Sequence, residues 1–436
     1  MSIAARIPWK PLAFLAPALV LFFCLATGGL FSGFFPDEVM NLYFYWIKPL
    51  PRHVADNLFF FLPSYRPAGS LFYLPLFHAF GFSPFPYRLV CFTLLTTNLA
   101  VVFFLAWRLS ANLLTASLAS TLFAYHAFLS DLYYSSATIY DLLCVFSCSS
   151  ALLLYARWRS SARLTRLQLG VLSALQVLAF NSKEIAAVLP PALLAIELLY
   201  HRRPARDFRG PALAFLLVAV RVAGAATMLS NPAYRPSLES VAHSLSVYTG
   251  QFLYYLPDAP PAVTLTFVLF LAAGLLFPHP HIRFAALFSL LAPVPVLLIA
   301  PRSLYVMYLP MLGFSLLAGG LLALLMDPQS RSGWRSLPAA ALLAATLAPL
   351  HLKYRPEAML WIEAEQAKVH FLQSAFSRQL PSLPKGSRLF FESDPFDAGD
   401  WILDMFLRLH YRDRTLEIAR RKRGEGAPRT LITPSP

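Results

Sequence analysis

Two adjacent carboxylates, Asp37 and Glu38, directly follow the first long apolar run, in the stretch Gly33-Phe-Phe-Pro-Asp-Glu. A charge beside a membrane costs free energy unless it is paired or used, so this acidic pair is a candidate functional site. A carboxylate at the end of a membrane span can accept a proton from an incoming hydroxyl, and burial near lipid raises its pKa. Acids also favour the first helical turn, so Pro36-Asp37-Glu38 is consistent with a helix start, and the two roles can coexist.

The composition is that of a membrane protein: 57% of the 436 residues are hydrophobic and only 13% are charged. Apolar runs of 17 or more residues recur, each long enough to cross a hydrocarbon layer of roughly 30 Å. The first run is too long for a signal peptide and lacks a small-residue cleavage site, so we interpret it as an uncleaved span. We predict an all-α polytopic membrane protein with about 11 spans. These are 11–31, 86–107, 112–129, 137–156, 167–181, 184–200, 211–229, 261–277, 284–300, 303–325 and 336–352.

The net charge of +14 does not indicate nucleic-acid binding, because most of the excess arginine lies in short loops between spans. The basic loops 157–166 and 202–209 are predicted to be cytoplasmic, which places the N-terminus inside and the C-terminus outside. Arginine usage and the lack of lumenal retention signals favour a bacterial inner (cell) membrane. The cysteines lie inside apolar runs and show no metal-ligand spacing: Cys24, Cys91, Cys144 and Cys148.

Two regions follow from this topology: a transmembrane domain over 1–352, with a long first outer loop at 32–85, and a tail over 353–436. Within the loop, Ala68–Phe82 is apolar but short, so we predict an amphipathic helix on the outer surface. The tail holds eleven of the 22 acidic residues and is predicted to be a small extracytoplasmic α/β appendage. Its predicted elements are helices over Lys353–Arg378 and Trp401–Tyr411 and strands over Ser387–Glu392, Thr415–Ala419 and Thr430–Thr433.

Five acids of the membrane domain are predicted at or near the outer face. The others have ordinary explanations as cytoplasmic, helix-end or solvated loop residues. The predicted topology depends on the basic loops and not on these acids, so the clustering of the acids supports a site at the outer face. The five are Asp37, Glu38, Asp131, Asp141 and Glu184.

Several motifs, in this order and placement, resemble those of the GT-C superfamily of membrane glycosyltransferases. The resemblance covers roughly residues 11–325 and is strongest to the protein O-mannosyltransferase-like group, which includes the transmembrane-and-tetratricopeptide mannosyltransferases and their bacterial relatives. Each motif alone is weak. They are Phe-Pro-Asp37-Glu38, Tyr65-Arg66-Pro67-x-Gly69-Ser70, Phe80-Gly81-Phe-Ser-Pro84-x-Pro86-Tyr87-Arg88-Leu89, an Asn98-containing span, His126-x4-Asp131, Ser182-Lys183-Glu184 and Arg302-Ser-Leu-Tyr305-x3-Leu309-Pro310-x2-Gly313.

The resemblance implies that Asp37 is the catalytic base of an inverting sugar transfer, with Glu38 as a second catalytic candidate whose role is open. The donor would be a sugar on a polyprenyl phosphate, presented from the outer leaflet to an acceptor hydroxyl. The tetratricopeptide repeats of one branch are absent, so acceptor recognition does not carry over. The expected partners are the donor, membrane lipids and a protein, lipid or glycan acceptor, with no nucleic acid.

The remaining candidates receive roles on the same basis. Lys183 and Arg302 would hold the donor phosphate, since phosphate leaving groups need fixed cations, and Arg66 and Tyr305 would assist them. The alternatives are a local Lys183–Glu184 ion pair, an interfacial anchor for Arg302 and a helix-start role for Arg66. Asp131 and Glu184 are candidates for acceptor orientation or an auxiliary role, against helix capping for Asp131.

No cofactor is required by the pattern, although oxygen ligands of Asp37, Glu38 and Asp131 could together bind one divalent cation. Histidines at zinc spacing are missing, so the metal stays unassigned. Two other classes of protein remain as alternatives: a lipid or solute transporter, and a non-catalytic envelope scaffold of GT-C descent. Charge at one face, the absence of visible inverted repeats and the long outer loop argue against the transporter.

Overall fold

The computed structural model describes residues 9–62, 64–160, 163–201, 206–225, 236–255, 258–326, 335–391 and 401–420. Almost all regular structure in these ranges is α-helical, which confirms the all-α prediction. Six helical segments are long and apolar enough to cross a membrane, and we treat the chain as an integral membrane protein. The six are Ala13–Phe31, Pro84–Ser110, Ser136–Arg159, Pro280–Leu297, Leu304–Met326 and Ser336–Gln379.

The first half of the chain contains four apolar helical segments and, between the first two of them, the segment 32–85. Short 3-10 turns at Ala13–Leu15, Thr27–Phe31, Ala127–Leu129 and Ser136–Thr138 extend or join its helices. The helices are α1 (Trp9–Leu12), α2 (Ala16–Ala26), α3 (Pro36–Trp46), α4 (Leu50–Leu58), α5 (Gly69–Phe80), α6 (Pro84–Ser110), α7 (Leu113–Ala124), α8 (Ser130–Tyr134) and α9 (Ile139–Arg159).

The second half adds the rest of the bundle and a short parallel strand pair near the C-terminus. Further 3-10 turns lie at Glu184–Val188, Gly274–Leu276 and Leu304–Met307. The helices are α10 (Arg166–Ser182), α11 (Leu189–Tyr200), α12 (Arg209–Ala225), α13 (Leu238–Phe252), α14 (Pro261–Ala273), α15 (Pro280–Leu291), α16 (Val294–Leu297), α17 (Tyr308–Met326), α18 (Ser336–Gln379) and α19 (Ile402–His410), and the strands are β1 (Arg388–Phe391) and β2 (Glu417–Arg420).

Helices occur at every predicted span, but they do not all have spanning length. The predicted span 112–129 is a bent pair, Leu113–Ala124 and Ala127–Tyr134, whose halves meet at 63°. The helices α10, α11 and α12 have 17, 12 and 17 residues, and Pro261–Leu276 is another shorter apolar helix. The count of eleven spans therefore stays a prediction.

The bundle is held together by close helix packing and by a core of buried aliphatic and aromatic side chains. Gly319 shows how close the packing is, because a Cβ there would lie 2.6 Å from the backbone nitrogen of Ala119. Small residues allow two helix backbones to approach in this way, which gains van der Waals contact where lipid supplies no hydrophobic drive. α17 therefore packs directly on α7.

The C-terminal region differs from the prediction in one respect. The last predicted span and the predicted tail helix are one continuous helix, α18, so the expected boundary at residues 352 and 353 falls inside it. Beyond α18, strand β1, helix α19 and strand β2 occur close to where they are predicted, and the two strands pair in parallel with Leu389 opposite Ile418. The strand predicted at Thr430–Thr433 lies outside the described residues.

The tail packs on the segment 32–85. Gln373 on α18 donates a hydrogen bond to the carbonyl of Phe82 at 3.3 Å, and Arg414 donates to the carbonyl of Trp46. Arg412 donates to the carbonyl of Phe77 at 3.3 Å and lies over that ring. The C-terminal part of α18 and the strand pair thus lie on the same side of the bundle as α3 and α5.

A buried ion pair connects the C-terminal end of α9 to α11. Arg159 Nε lies 2.5 Å from Glu197 Oε1 on α11, and the Tyr155 hydroxyl donates to the same oxygen at 2.7 Å. The backbone N–H of Asp207 donates to Glu197 Oε2 at 3.0 Å. Every partner of this carboxylate is therefore supplied by the protein, which makes the charge tolerable in a dry interior.

Replacing Glu197 should test how much the Arg159–Glu197 ion pair contributes to stability. Glu197→Ala removes the carboxylate that faces the buried Arg159 guanidinium, and we expect a loss of about 3–5 kcal/mol in unfolding free energy. Thermal unfolding in detergent, followed by fluorescence, measures the change. The exposed Glu239 provides the control, since Glu239→Ala should stay within about 0.5 kcal/mol of the native chain. Equal stability of the two variants would contradict a stabilising role of the Arg159–Glu197 ion pair.

Candidate functional site

The acidic pair lies in the first turn of α3, as its sequence predicts. Phe35 is extended at φ −98° and ψ 159°, and Pro36 occupies the first helical position, where its missing N–H is not needed. The Glu38 carboxylate turns back and accepts the backbone N–H of Phe35 at 2.8 Å. Glu38 thereby caps the helix, while the adjacent Asp37 is exposed.

Glu38 is buried in a dense network. Arg88 on α6, itself fully buried, reaches both carboxylate oxygens, with Nη1 at 2.6 Å from Oε1 and Nη2 at 3.2 Å from Oε2. Ser135 and Ser136 add hydroxyl donors at 3.2 and 2.7 Å, and the Ser136 backbone N–H donates as well. With its lone pairs occupied, Glu38 is suited to hold α3 in place rather than to receive a substrate proton.

The environment of Asp37 differs from that of the buried Glu38. Its side chain is exposed, and its carboxylate has no hydrogen bond or ion pair within the described residues. Partial removal of water by the surrounding protein raises the pKa of Asp37. The like charges of Glu38 and Glu365 raise this pKa further, and the positive charge of Arg302 lowers it. Asp37 is therefore a carboxylate held free at the surface of the protein, with a pKa above its ordinary value of 3.8.

Lys183 lies at the break between α10 and the following 3-10 turn and is buried. Its ammonium group pairs with Asp141, at the start of α9, and lies 4.9 Å from the centre of the Tyr305 ring. The expected local pair with Glu184 is not formed, since Glu184 pairs instead with Arg66 at 3.3 Å. One oxygen of Asp141, Oδ2, is buried without a hydrogen-bond partner.

Arg66 is held in an uncommon backbone conformation, with φ at +44°. A bulky residue in this region is strained, and such strain persists only where the surroundings enforce it. The Tyr45 hydroxyl donates to the Arg66 carbonyl at 2.7 Å, and the guanidinium lies over the rings of Tyr65 and Tyr140 at 4.7 and 5.3 Å. Its buried Nε has no hydrogen-bond partner and is a donor available to a ligand.

The turn before α17 brings the remaining predicted residues to the same place. Asp131 accepts a hydrogen bond from Ser303, and the backbone N–H of Arg302 donates to the Tyr248 hydroxyl at 3.0 Å. Tyr305 lies within electrostatic range of carboxylates and a guanidinium from four other segments. We call the whole set the charged cluster: Asp37, Arg66, Asp131, Asp141, Lys183, Glu184, Arg302 and Tyr305.

An apolar groove of ≈ 210 Å³ adjoins this cluster. It is lined by residues of α13, α14, α15 and α17 and the segment between α15 and α17. Two of its residues connect it to the site, because Tyr248 holds the Arg302 backbone and Met307 lies in the same 3-10 turn as Tyr305. The groove therefore places an apolar surface beside cationic groups.

A metal site made of Asp37, Glu38 and Asp131 does not fit this arrangement, because Glu38 is committed to Arg88 and Ser136. Across the residues that the structure describes, no group of three histidine, cysteine or acidic side chains is arranged to hold a metal ion. The charged cluster instead combines three cationic side chains with four carboxylates, of which Asp37 has no hydrogen bond or ion pair within the described residues.

Two residues important to this site received no role from the sequence. Arg88 stands in one of the quoted motifs, and Asp141 is among the five outer-face acids, yet neither was given a function. The signal for Arg88 was present, because an arginine in the first turns of a membrane span must find a buried partner. The pairing of Lys183 with Asp141 joins residues 42 positions apart and could not be read from local sequence.

Comparison with known proteins identifies no relative of this chain: no family model, no curated protein and no solved structure matches it. The class of protein that the fold defines is an all-α membrane protein, and the function must be argued from the residues themselves.

The two adjacent acids should respond differently to neutralisation. Glu38→Gln removes the negative charge that pairs with the buried Arg88, whose only ionic partner in the described chain is Glu38. The substitution should cost about 3–5 kcal/mol of unfolding free energy. Asp37→Asn, at an exposed and unpaired position, should change stability by less than about 0.5 kcal/mol. Thermal unfolding of both variants in the same detergent compares them. A larger loss for Asp37→Asn than for Glu38→Gln would contradict these assignments.

Proposed function

We propose that the protein is a GT-C-like membrane glycosyltransferase that moves a sugar from a polyprenyl-phosphate donor to an extracytoplasmic acceptor hydroxyl. The observation that carries the proposal is the state of Asp37: an exposed carboxylate, unpaired within the described residues, on a helix held by the buried Glu38–Arg88 pair. Arg302 lies within electrostatic range of Asp37, and the charged cluster also holds the cations Arg66 and Lys183. A general base needs such freedom to accept a proton, and a phosphate leaving group needs fixed positive charge.

The reaction follows from these roles. Asp37 accepts the proton of the acceptor hydroxyl as that oxygen attacks the anomeric carbon of the donor sugar. The bond between the anomeric carbon and the phosphate oxygen breaks, and its electron pair leaves with the polyprenyl phosphate. Attack opposite the leaving group inverts the anomeric configuration. Glu38 takes no proton in this scheme and positions Asp37 through α3.

The donor phosphate would bind at the cationic part of the charged cluster. Arg66 contributes its unpartnered Nε, and the Lys183 ammonium lies beside Tyr305 and Asp141. Arg302 adds positive charge near Asp37. These fixed cations would stabilise the charge that develops on the phosphate without reorganising during the reaction. Asp131 and Glu184 would take the auxiliary roles predicted for them, Glu184 by holding Arg66.

The apolar groove beside Tyr248 suits the polyprenyl chain. Its lining is almost entirely aliphatic and aromatic, and it adjoins the same turn that carries Arg302 and Tyr305. An isoprenoid chain in this groove would exchange lipid contacts for van der Waals packing against these side chains, since the surrounding lipid is as apolar as the groove. We further propose a bacterial inner membrane location, with the charged cluster and the tail outside.

Removal of the base should abolish transfer without unfolding the protein. We expect Asp37→Asn to lower the transfer rate by about 10²–10⁴-fold, the range that general-base catalysis supplies. The measurement is mass spectrometry of envelope glycans and glycoproteins from cells carrying the native or variant chain. Unfolding midpoints of the purified proteins serve as the control, and retained transfer with Asp37→Asn would overturn the assignment.

The pH dependence of transfer should report the raised pKa of Asp37. Because the base acts in its ionised form, kcat/KM should fall as pH decreases through a pKa above the ordinary value of 3.8. Arg302→Gln removes a positive charge that lowers this pKa, so the acid limb should move to higher pH, whatever the effect on the maximal rate. A limb that stays in place, or moves to lower pH, would contradict the role of Asp37.

A further inference from the structure

The exposed part of α18 contacts the segment that carries Asp37. The Trp361 ring lies 5.9 Å from the ring of Phe35, two residues before Asp37. One residue of the next turn, Gln366, donates a hydrogen bond to the carbonyl of Tyr134 at 3.1 Å, at the end of the helix that carries Asp131. These contacts fix the register of α18 against both acid-bearing helices, α3 and α8.

Two side chains on this part of α18, Trp361 and Glu365, interact with Asp37 or with the residues that precede it. Trp361 is 55% exposed although it packs on Phe35, so much of its indole surface is open. Glu365, four residues later and therefore on the same helix face, lies within electrostatic range of Asp37. Lys368 lies 2.6 Å from Glu365 and holds the carboxylate in position.

Asp37 connects this pair electrostatically with the charged cluster. It has Glu365 among its own electrostatic neighbours, and it is in turn a neighbour of Tyr305, together with Asp131, Asp141 and Arg66. If the donor occupies the cations and the groove, the space bounded by Trp361 and Glu365 is the side from which the acceptor hydroxyl reaches the base.

We propose that Trp361 and Glu365 form the acceptor subsite and that the acceptor is a carbohydrate. This inference rests on the proposed transferase function and names its substrate class. An open indole face offers an apolar, polarisable surface to the C–H face of a sugar ring, and a carboxylate accepts hydrogen bonds from adjacent sugar hydroxyls. A serine or threonine side chain of a protein acceptor has a single hydroxyl and no such face.

The experiment uses the full chain in its own membrane. Cells lacking the protein are complemented with the native chain, Trp361→Ala, Glu365→Gln, Asp37→Asn or Phe371→Ala, and their envelope glycans, glycolipids and glycoproteins are compared by mass spectrometry. Phe371 is the matched control, because it is an aromatic residue on the same helix with 58% exposure and lies ten positions beyond Trp361. Immunoblots and unfolding midpoints correct for the amount of folded protein.

We expect the native chain to restore one sugar residue attached to another sugar. Trp361→Ala and Glu365→Gln should lower that product at least tenfold, and Phe371→Ala should restore it fully. Two results would overturn the proposal: attachment of the sugar to serine or threonine, or equal product with Trp361→Ala and Phe371→Ala. If no sugar differs between the native chain and Asp37→Asn, the proposed function itself fails.

A pH profile separates acceptor positioning from a purely structural role of Glu365. Removing its negative charge should move the acid limb of kcat/KM to lower pH, opposite to the effect of Arg302→Gln. A structural role would change the amount of folded protein without moving the limb. Trp361→Phe, which keeps an aromatic ring against Phe35, should retain more activity than Trp361→Ala; equal loss in both would contradict acceptor stacking.

Discussion

The buried ion pair between Glu38 and Arg88 is the contact on which the candidate site depends. It joins the first turn of α3 to α6, and the same carboxylate caps α3 and accepts hydrogen bonds from Ser135 and Ser136. A pair of this kind adds little net stability over apolar packing, but losing one partner is costly, so it specifies one arrangement. That arrangement leaves Asp37, the neighbouring residue, outside the network, exposed and without a partner in the described part of the chain.

Buried charges on α9 are also paired. On α9, Asp141 pairs with Lys183 near one end and Arg159 pairs with Glu197 at the other. Eighteen residues separate the two positions, about 27 Å along a helix, which is close to the thickness of a hydrocarbon layer. Buried charges are thus paired near the two ends of a span, where a membrane protein can best accommodate them.

The continuity of α18 changes the interpretation of the tail. A composition change beyond His351 predicts a separate appendage, yet the helix does not break there, and its extension packs on the segment 32–85. A rigid helix can hold Trp361 and Glu365 at a fixed distance from Asp37, which a flexible linker could not. The tail is therefore a candidate part of the site.

The amino-acid sequence alone determined the class of protein, the approximate helix positions and the types of residues at the site. Hydrophobic runs and Pro36-Asp37-Glu38 are local patterns, and local patterns specify helices and their first turns. The sequence already favoured Asp37 over Glu38 as the base, but only the tertiary structure gave Glu38 a structural role, because the burial of Glu38 depends on Arg88, 50 residues later. The tertiary structure also decided that Lys183 pairs with Asp141 and Glu184 with Arg66. Ion pairing depends on the distance between charges in space, which local sequence patterns do not reveal.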